Sequence, residues 1–227
     1  TMALLCEAYP EVPRAAGVLP AGDDPASVSM PPQIEPDRVP FPARHLLPLP
    51  RYRGGPAFKR GRHSTSIFTH RGCPYQCTFC EKGVHEGPVR LRSAESILEE
   101  VRRIRRDHQI HDIRFIDDVF MINPSILDQF LELVLSSGER FHWLSTARAD
   151  LITPPLLRKL KRAGCYRLEM GIESGSDRIL KMVNKGLTRD QLVHALEATR
   201  AAGMETIANF IIGFPTETEE EIRRTID

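Results

Sequence analysis

Residues 141–172 read FHWLSTARADLITPPLLRKLKRAGCYRLEMGI, and this stretch decides the fold. Phe141 to Arg148 reads as a strand. Thr153-Pro154 opens a helix in the favoured cap-then-proline order, and Gly164 closes it. Cys165 to Ile172 then reads as another strand. Strand, helix and strand joined by short connections imply a right-handed crossover, and hence a parallel sheet covered by helices.

The same alternation extends in both directions. Upstream, Ser64 to His70 is the first predicted strand. Ser93 caps a helix running to about His108, whose Ile97, Leu98, Val101 and Ile104 form one apolar stripe. Ile113 to Asp117 is the second predicted strand, and a helix follows from Asn123-Pro124 to Gly138. Downstream, a short helix near Ser176–Val183 is followed by Gly186. Thr188 to Gln191 has the capping-box form and starts a helix that Gly203 stops. Met204 to Ile212 is the fifth predicted strand. Thr218 to Glu221 is a second capping box and opens a last helix. The expected class is α/β. Five strands suit either a partial (β/α) barrel or an open doubly wound sheet, and in both the sites gather at the C-terminal strand ends. Thr1 at the start, and Asp227 inside a helical pattern, predict a piece of a longer protein.

Residues 1–60 hold 12 of the 18 prolines and read as a linker or the end of an upstream domain; residues 61–227 form the regular core. Leu46-Leu47-Pro48-Leu49-Pro50 reads as a stretch of that linker running over the surface. The chain carries 31 basic and 30 acidic residues, a formal charge of +1, which gives no global pull towards nucleic acid or an anionic membrane. Arg102, Arg103, Arg105 and Arg106 lie mostly off the apolar stripe of their helix and read as a solvated face. No apolar run reaches the roughly 18 residues of a membrane span, and the N-terminus is too short and acidic for a secretory signal. A cytoplasmic, reducing setting is expected.

Of five cysteines, three fall within eight residues: Arg71-Gly72-Cys73-Pro74-Tyr75-Gln76-Cys77-Thr78-Phe79-Cys80. The spacing suits metal binding better than a disulfide framework. Three thiolates in one loop can hold three corners of an iron–sulfur cubane and leave one iron open. A zinc site with His70 or His85 as fourth ligand is a second reading, and packing cysteines are a third.

This loop resembles the signature of the radical S-adenosylmethionine (SAM) superfamily, including the aromatic Phe79 before the last cysteine. Phe115-Ile116-Asp117-Asp118-Val119-Phe120, Gly171-Ile172-Glu173-Ser174-Gly175-Ser176 and Asn209-Phe210-Ile211-Ile212-Gly213-Phe214-Pro215-Thr216 are similar to segments of the branch with an upstream cobalamin-binding domain. The stretch from Pro40 to Leu49 is similar to the linker after that domain. The resemblance implies a radical SAM core, a partial barrel truncated after the fifth strand. It implies a 4Fe-4S cluster on Cys73, Cys77 and Cys80 that reductively cleaves SAM to a 5′-deoxyadenosyl radical.

Further positions follow from the same resemblance. Phe79 matches the place beside the adenine. Asp117 or Asp118 would meet the SAM amino group, and strand alternation keeps both from pointing inward together unless the strand has already ended. Glu173 would take the ribose hydroxyls, with Glu169 on the same face and Leu168, Met170 and Ile172 facing the helices. Arg148 would pair with the SAM carboxylate or form a salt bridge with Asp150. Gly213 would let the backbone near the adenine, or simply turn the chain before Pro215. His142, Trp143 and Tyr166 read as core. No residue acting on the substrate is assigned.

The expected reaction is methylation or another modification of an unactivated carbon on a small molecule, with a flavodoxin- or ferredoxin-type electron donor. The pattern Asp-x-His-x-x-Gly is absent, so cobalamin would sit on a domain outside this chain. The alternatives are a methylthiotransferase acting on RNA or protein and a zinc-stabilised binding module without catalysis.

Overall fold

The computed structural model describes residues 34–52, 63–81 and 88–227, and a compact unit spans Pro36–Asp227. Expectations for residues 1–33 and for His85 lie outside the described residues.

The helices start where side chains can accept from orphan backbone N–H groups. Ser93 caps α1 (Ala94–His108), Asn123 caps α2 (Pro124–Ser137), and Thr153 caps α3 (Pro154–Arg162). Ser176 caps α4 (Asp177–Met182). Thr188 and Thr218 form complete capping boxes, with Gln191 and Glu221, on α5 (Arg189–Ala201) and α6 (Glu219–Ile226).

Between the helices run β1 (Ser64–Ile67), β4 (Asp112–Phe115), β5 (His142–Ala147), β6 (Cys165–Glu173) and β7 (Glu205–Phe210). These five form one parallel sheet in the order β1-β4-β5-β6-β7. The order follows the chain without reversal. With every crossover right-handed, all helices fall on one face, which is barrel geometry; a doubly wound sheet needs a point where the order turns back. The sheet is thus a barrel segment, and its two edges do not meet.

One expected element divides. The first strand does not run from Ser64 to His70 but ends at Ile67. His70–Arg71 is a separate strand, β2, paired antiparallel with β3 (Arg90–Leu91). The cause is the bend at Thr69, which a carboxylate from the end of β4 grips, as described below.

The convex face of the sheet is apolar. Ile113, Phe115, Trp143, Leu168 and Met170 are all completely buried under the helices. Phe115, Phe120, Phe130 and Trp143 form an aromatic knot with ring centroids 4.6–6.2 Å apart. The Trp143 indole Nε1 donates to Ala163 O at 2.8 Å. Gly164 beside it has φ +96°, and a Cβ there would meet Phe141 O at 2.2 Å, so only glycine fits this turn. Trp143 and Tyr166 are core, as expected; His142 is exposed.

Residues 36–52 pack on the sheet and on α1. Asp37 accepts from Ser93 N, Arg44 pairs with Glu100 at 2.7 Å, and Arg44 Nη2 donates to Ser66 O at 2.8 Å. Leu49 is buried, whereas Leu46 and Leu47 are exposed. The basic run on α1 is matched locally: Arg103 with Glu99, Arg106 with Asp107, and Arg102 and Arg105 with Glu139. That is a solvated face, as the sequence predicts. No helix among the described residues is long and apolar enough to cross a membrane.

Two expectations follow. Phe130→Ala opens a cavity in the aromatic knot and should cost about 3–5 kcal/mol in urea unfolding, followed by the fluorescence of Trp143, the chain's one tryptophan. Glu221 accepts from Arg178, Thr218 N and Ser176, which hold its carboxyl well below the ordinary value of 4.5. A depressed folded-state pKa gives stability that is complete above the unfolded pKa and fades as pH falls. The gap in thermal midpoint between wild type and Glu221→Gln should therefore be full at neutral pH and narrow below about pH 4.5.

Candidate functional site

The cysteine loop leaves β2 at Gly72, whose φ of +94° turns the chain across the C-terminal rim of the sheet. Cys73 and Cys77 are half-buried, Cys80 is exposed, and none of the three is in a disulfide. The loop is tied down by its neighbours. Thr78 N donates to Val183 O at 3.0 Å, and Asn184 Nδ2 donates to Gln76 O at 2.9 Å. The Arg148 guanidinium lies 3.8 Å from the centre of the Tyr75 ring, and the Phe79 and Phe214 rings are 5.8 Å apart.

Among the described residues, no three His, Cys, Asp or Glu side chains are gathered at metal-holding distance. The donor set is therefore chemically complete but not pre-assembled. Among the described residues it consists of three soft thiols; His85, the other candidate fourth ligand, lies outside them. His70, one candidate fourth ligand for zinc, is 3% exposed and points elsewhere: its Nδ1 faces Asp117 Oδ1 and Thr69 Oγ1, each at 3.4 Å. Three thiolates suffice to hold an iron–sulfur cubane with one iron open, whereas a closed zinc site needs a fourth ligand.

The two adjacent aspartates separate cleanly. Asp117 is 2% exposed, and its carboxylate accepts from Thr69 N at 2.6 Å, Thr69 Oγ1 at 2.8 Å and His70 N at 3.0 Å. Burial pushes its pKa up, opposed by His70 and by these hydrogen bonds. Both oxygens are thus committed to the β1–β2 turn. Asp118 is exposed on the rim.

Glu173 ends β6 with φ +67°, a left-handed conformation that non-glycine residues adopt uncommonly. It is 7% exposed and pairs with Lys185 at 2.8 Å. Gly171 makes the room: a Cβ there would meet Glu173 Oε1 at 2.2 Å and Lys185 Nζ at 2.9 Å. Lys185 Nζ also lies 5.8 Å from the centre of the Phe79 ring, so Phe79, Lys185 and Glu173 form one cluster. Lys185 was not legible as a site residue; its only sequence signal is its place before Gly186 in a short turn. Glu169 faces the concave side, where it pairs with Arg114 at 2.6 Å.

Gly213, beyond β7, has φ +91° and open space where a Cβ would stand. Its N–H and that of Phe214 donate to Glu217 Oε2 at 2.6 and 3.1 Å. Arg148 takes the salt bridge: its Nε lies 2.9 Å from Asp150 Oδ1, and Nη2 donates to Lys185 O at 2.5 Å.

A barrel segment with a three-thiol loop after its first strand defines a class. Residues 67–227 match the radical SAM superfamily, and the chain belongs to it. Enzymes of that superfamily use a 4Fe-4S cluster and SAM as cofactors. Among particular proteins, it is 32% identical to an uncharacterized methyltransferase of Pyrococcus horikoshii, over 84% of this chain and 40% of the relative. It is 29% identical to cytidylyl-2-hydroxyethylphosphonate methyltransferase of Streptomyces wedmorensis, over 96% of this chain and 43% of that protein. The chain thus spans about two-fifths of the length of these relatives. Its fold matches the cobalamin-dependent SAM radical enzyme OxsB, with a TM-score of 0.65 and 25% identity over 71% of this chain and 25% of that one.

The committed and exposed aspartates should differ in stability. Asp117→Ala strips three buried donors of their acceptor and should lower unfolding free energy by about 3 kcal/mol, whereas Asp118→Ala should stay within about 0.5 kcal/mol of wild type. Chemical denaturation of both variants checks this.

Proposed function

We propose that this chain is the SAM-binding part of a cobalamin-dependent radical SAM methyltransferase that acts on an unactivated carbon of a small molecule. The observation that carries the reading is Glu173: a buried carboxylate in a left-handed conformation at a strand end, paired with Lys185, whose ammonium lies 5.8 Å from the Phe79 ring of the cysteine loop. A conformation of this kind persists where the surroundings impose it, and it clusters at ligand sites.

Each rim residue then has a role. Cys73, Cys77 and Cys80 supply thiolates to the cluster. Glu173 accepts from the ribose hydroxyls of SAM, and exposed Asp118 pairs with its ammonium group. Gly213 leaves its backbone open towards the adenine, and Phe79 packs beside it. Asp117 and Arg148 position these groups rather than touch the cofactor. Cluster and SAM together supply one-electron chemistry at carbon, and the chain's own part is to bind, orient and shield them. Cobalamin would be carried by a part of the protein outside this chain; the likeness to the cobalamin-dependent OxsB supports this. The electron donor would be of flavodoxin or ferredoxin type, in the cytoplasm.

Anaerobic reconstitution of the full-length protein should give about four irons and four sulfides for this site. Cys73→Ala, Cys77→Ala and Cys80→Ala should each abolish them, and Cys165→Ala, at a buried core position, should not. Glu173→Ala should keep the iron and weaken SAM binding about ten- to a hundredfold, read by equilibrium dialysis. Stoichiometric zinc without iron uptake contradicts the reading.

A further inference from the structure

The Arg148 side chain is 6% exposed and is held from three sides. Asp150, in the short 3-10 turn Ala149–Leu151 that Arg148 itself precedes, fixes the guanidinium by its ion pair. Lys185 O accepts from Nη2. The remaining face covers the Tyr75 ring at 3.8 Å, a close cation–π stack inside the cysteine loop.

The residues that receive Arg148 also hold the rest of the loop. Val183 O accepts from Thr78 N, and Asn184 donates to Gln76 O. This 183–186 turn is itself tightly wound: Asn184 has φ 53° and Gly186 φ 67°, and a Cβ on Gly186 would stand 3.3 Å from Arg148 Nη2. Lys185 lies at the junction. Its carbonyl is fixed by Arg148, and its ammonium braces Glu173.

We propose that Arg148 is a positioning residue that clamps the cysteine loop to the 183–186 turn through Tyr75, so that the loop and Glu173 are ordered as one unit. The role is distinct from contact with SAM: Nε is ion-paired with Asp150, Nη2 donates to Lys185 O, and one face of the guanidinium stacks on Tyr75. The stack needs a planar cation over an aromatic ring. Phenylalanine at 75 keeps that ring, alanine at 75 removes it, and lysine at 148 keeps the charge but loses the plane.

This inference rests on the reading of residues 73–80 as the cluster loop, but its test needs no cluster. Amide hydrogen exchange is measured on the metal-free, reduced full-length protein, at the Thr78 N–H that bonds to Val183 O. Arg148→Ala and Tyr75→Ala should each speed exchange at Thr78 by about tenfold or more, and the double variant should exchange no faster than Arg148→Ala. Tyr75→Phe should exchange as wild type, and Arg148→Lys should exchange as Arg148→Ala. Arg103→Ala, on the solvated face of α1, leaves the stack in place and serves as the control.

Wild-type exchange in Tyr75→Ala overturns the clamp, and so does an effect of Tyr75→Phe equal to that of Tyr75→Ala. If Arg148→Ala fails to fold, the two Tyr75 variants decide. Zinc instead of iron in the reconstituted wild type would sink the proposed function and leave the clamp standing. Unaltered exchange with normal iron content would do the reverse.

Discussion

The carboxylate of Asp117 fixes where the site can form. It is buried at the end of β4 and accepts three hydrogen bonds from Thr69 and His70, at the point where the chain leaves β1. A buried carboxylate left without donors is costly, and so are buried donors left without an acceptor, so each side enforces the other. The result is the sharp bend that separates β1 from β2 and sends the chain into Gly72 and the cysteine loop. The loop crosses the rim because Asp117 ends β1 there. The ordered strand sequence of the sheet then brings the ends of β5, β6 and β7 round to meet it.

On the far side of the rim a second buried pair performs the matching task. Glu173 is turned into a left-handed conformation and braced by Lys185, in the space that Gly171 leaves empty. Between the two pairs stands Arg148, stacked on the loop and bonded to the backbone of Lys185. The rim is therefore a chain of committed charges around open positions. Asp118, Gly213 and the edge of Phe79 remain accessible, while Asp117, Arg148 and Lys185 are spent on geometry. Rigid support beneath a few accessible groups is the arrangement a cofactor site requires, since each misplaced contact loses orientation as well as binding.

Much of this was legible in the sequence because it is written in local chemistry. Ser93, Asn123, Thr153, Ser176, Thr188 and Thr218 all accept from the backbone N–H that a capping residue should meet, so the helix starts could be read directly. The thiol spacing was equally plain, and alternation along β6 separated Glu169 from the core residues Leu168, Met170 and Ile172, whereas the register shift between Gly171 and Glu173 sets Glu173 apart from that alternation. What could not be read depends on contacts distant in sequence. The β2–β3 pairing requires a carboxylate 48 residues from the bend it holds. Alternation left Asp117 and Asp118 equivalent; burial tells them apart. Barrel segment or doubly wound sheet is a matter of strand order, which no local pattern carries. The Arg148–Tyr75 stack joins residues whose proximity only the folded rim creates.

The central claim is that the three-thiol loop and the Glu173 side of the rim together bind one cluster and one SAM. Mössbauer spectroscopy of the full-length protein reconstituted with iron-57, with and without SAM, tests it most directly. If the loop leaves one iron of the cubane without a protein ligand and the rim delivers SAM to it, SAM should shift about a quarter of the iron signal and leave the rest in place. The shift should be lost at the same SAM concentration in Glu173→Ala, whose total iron is unchanged. A spectrum that SAM does not alter, in protein carrying a full cluster, would contradict the account.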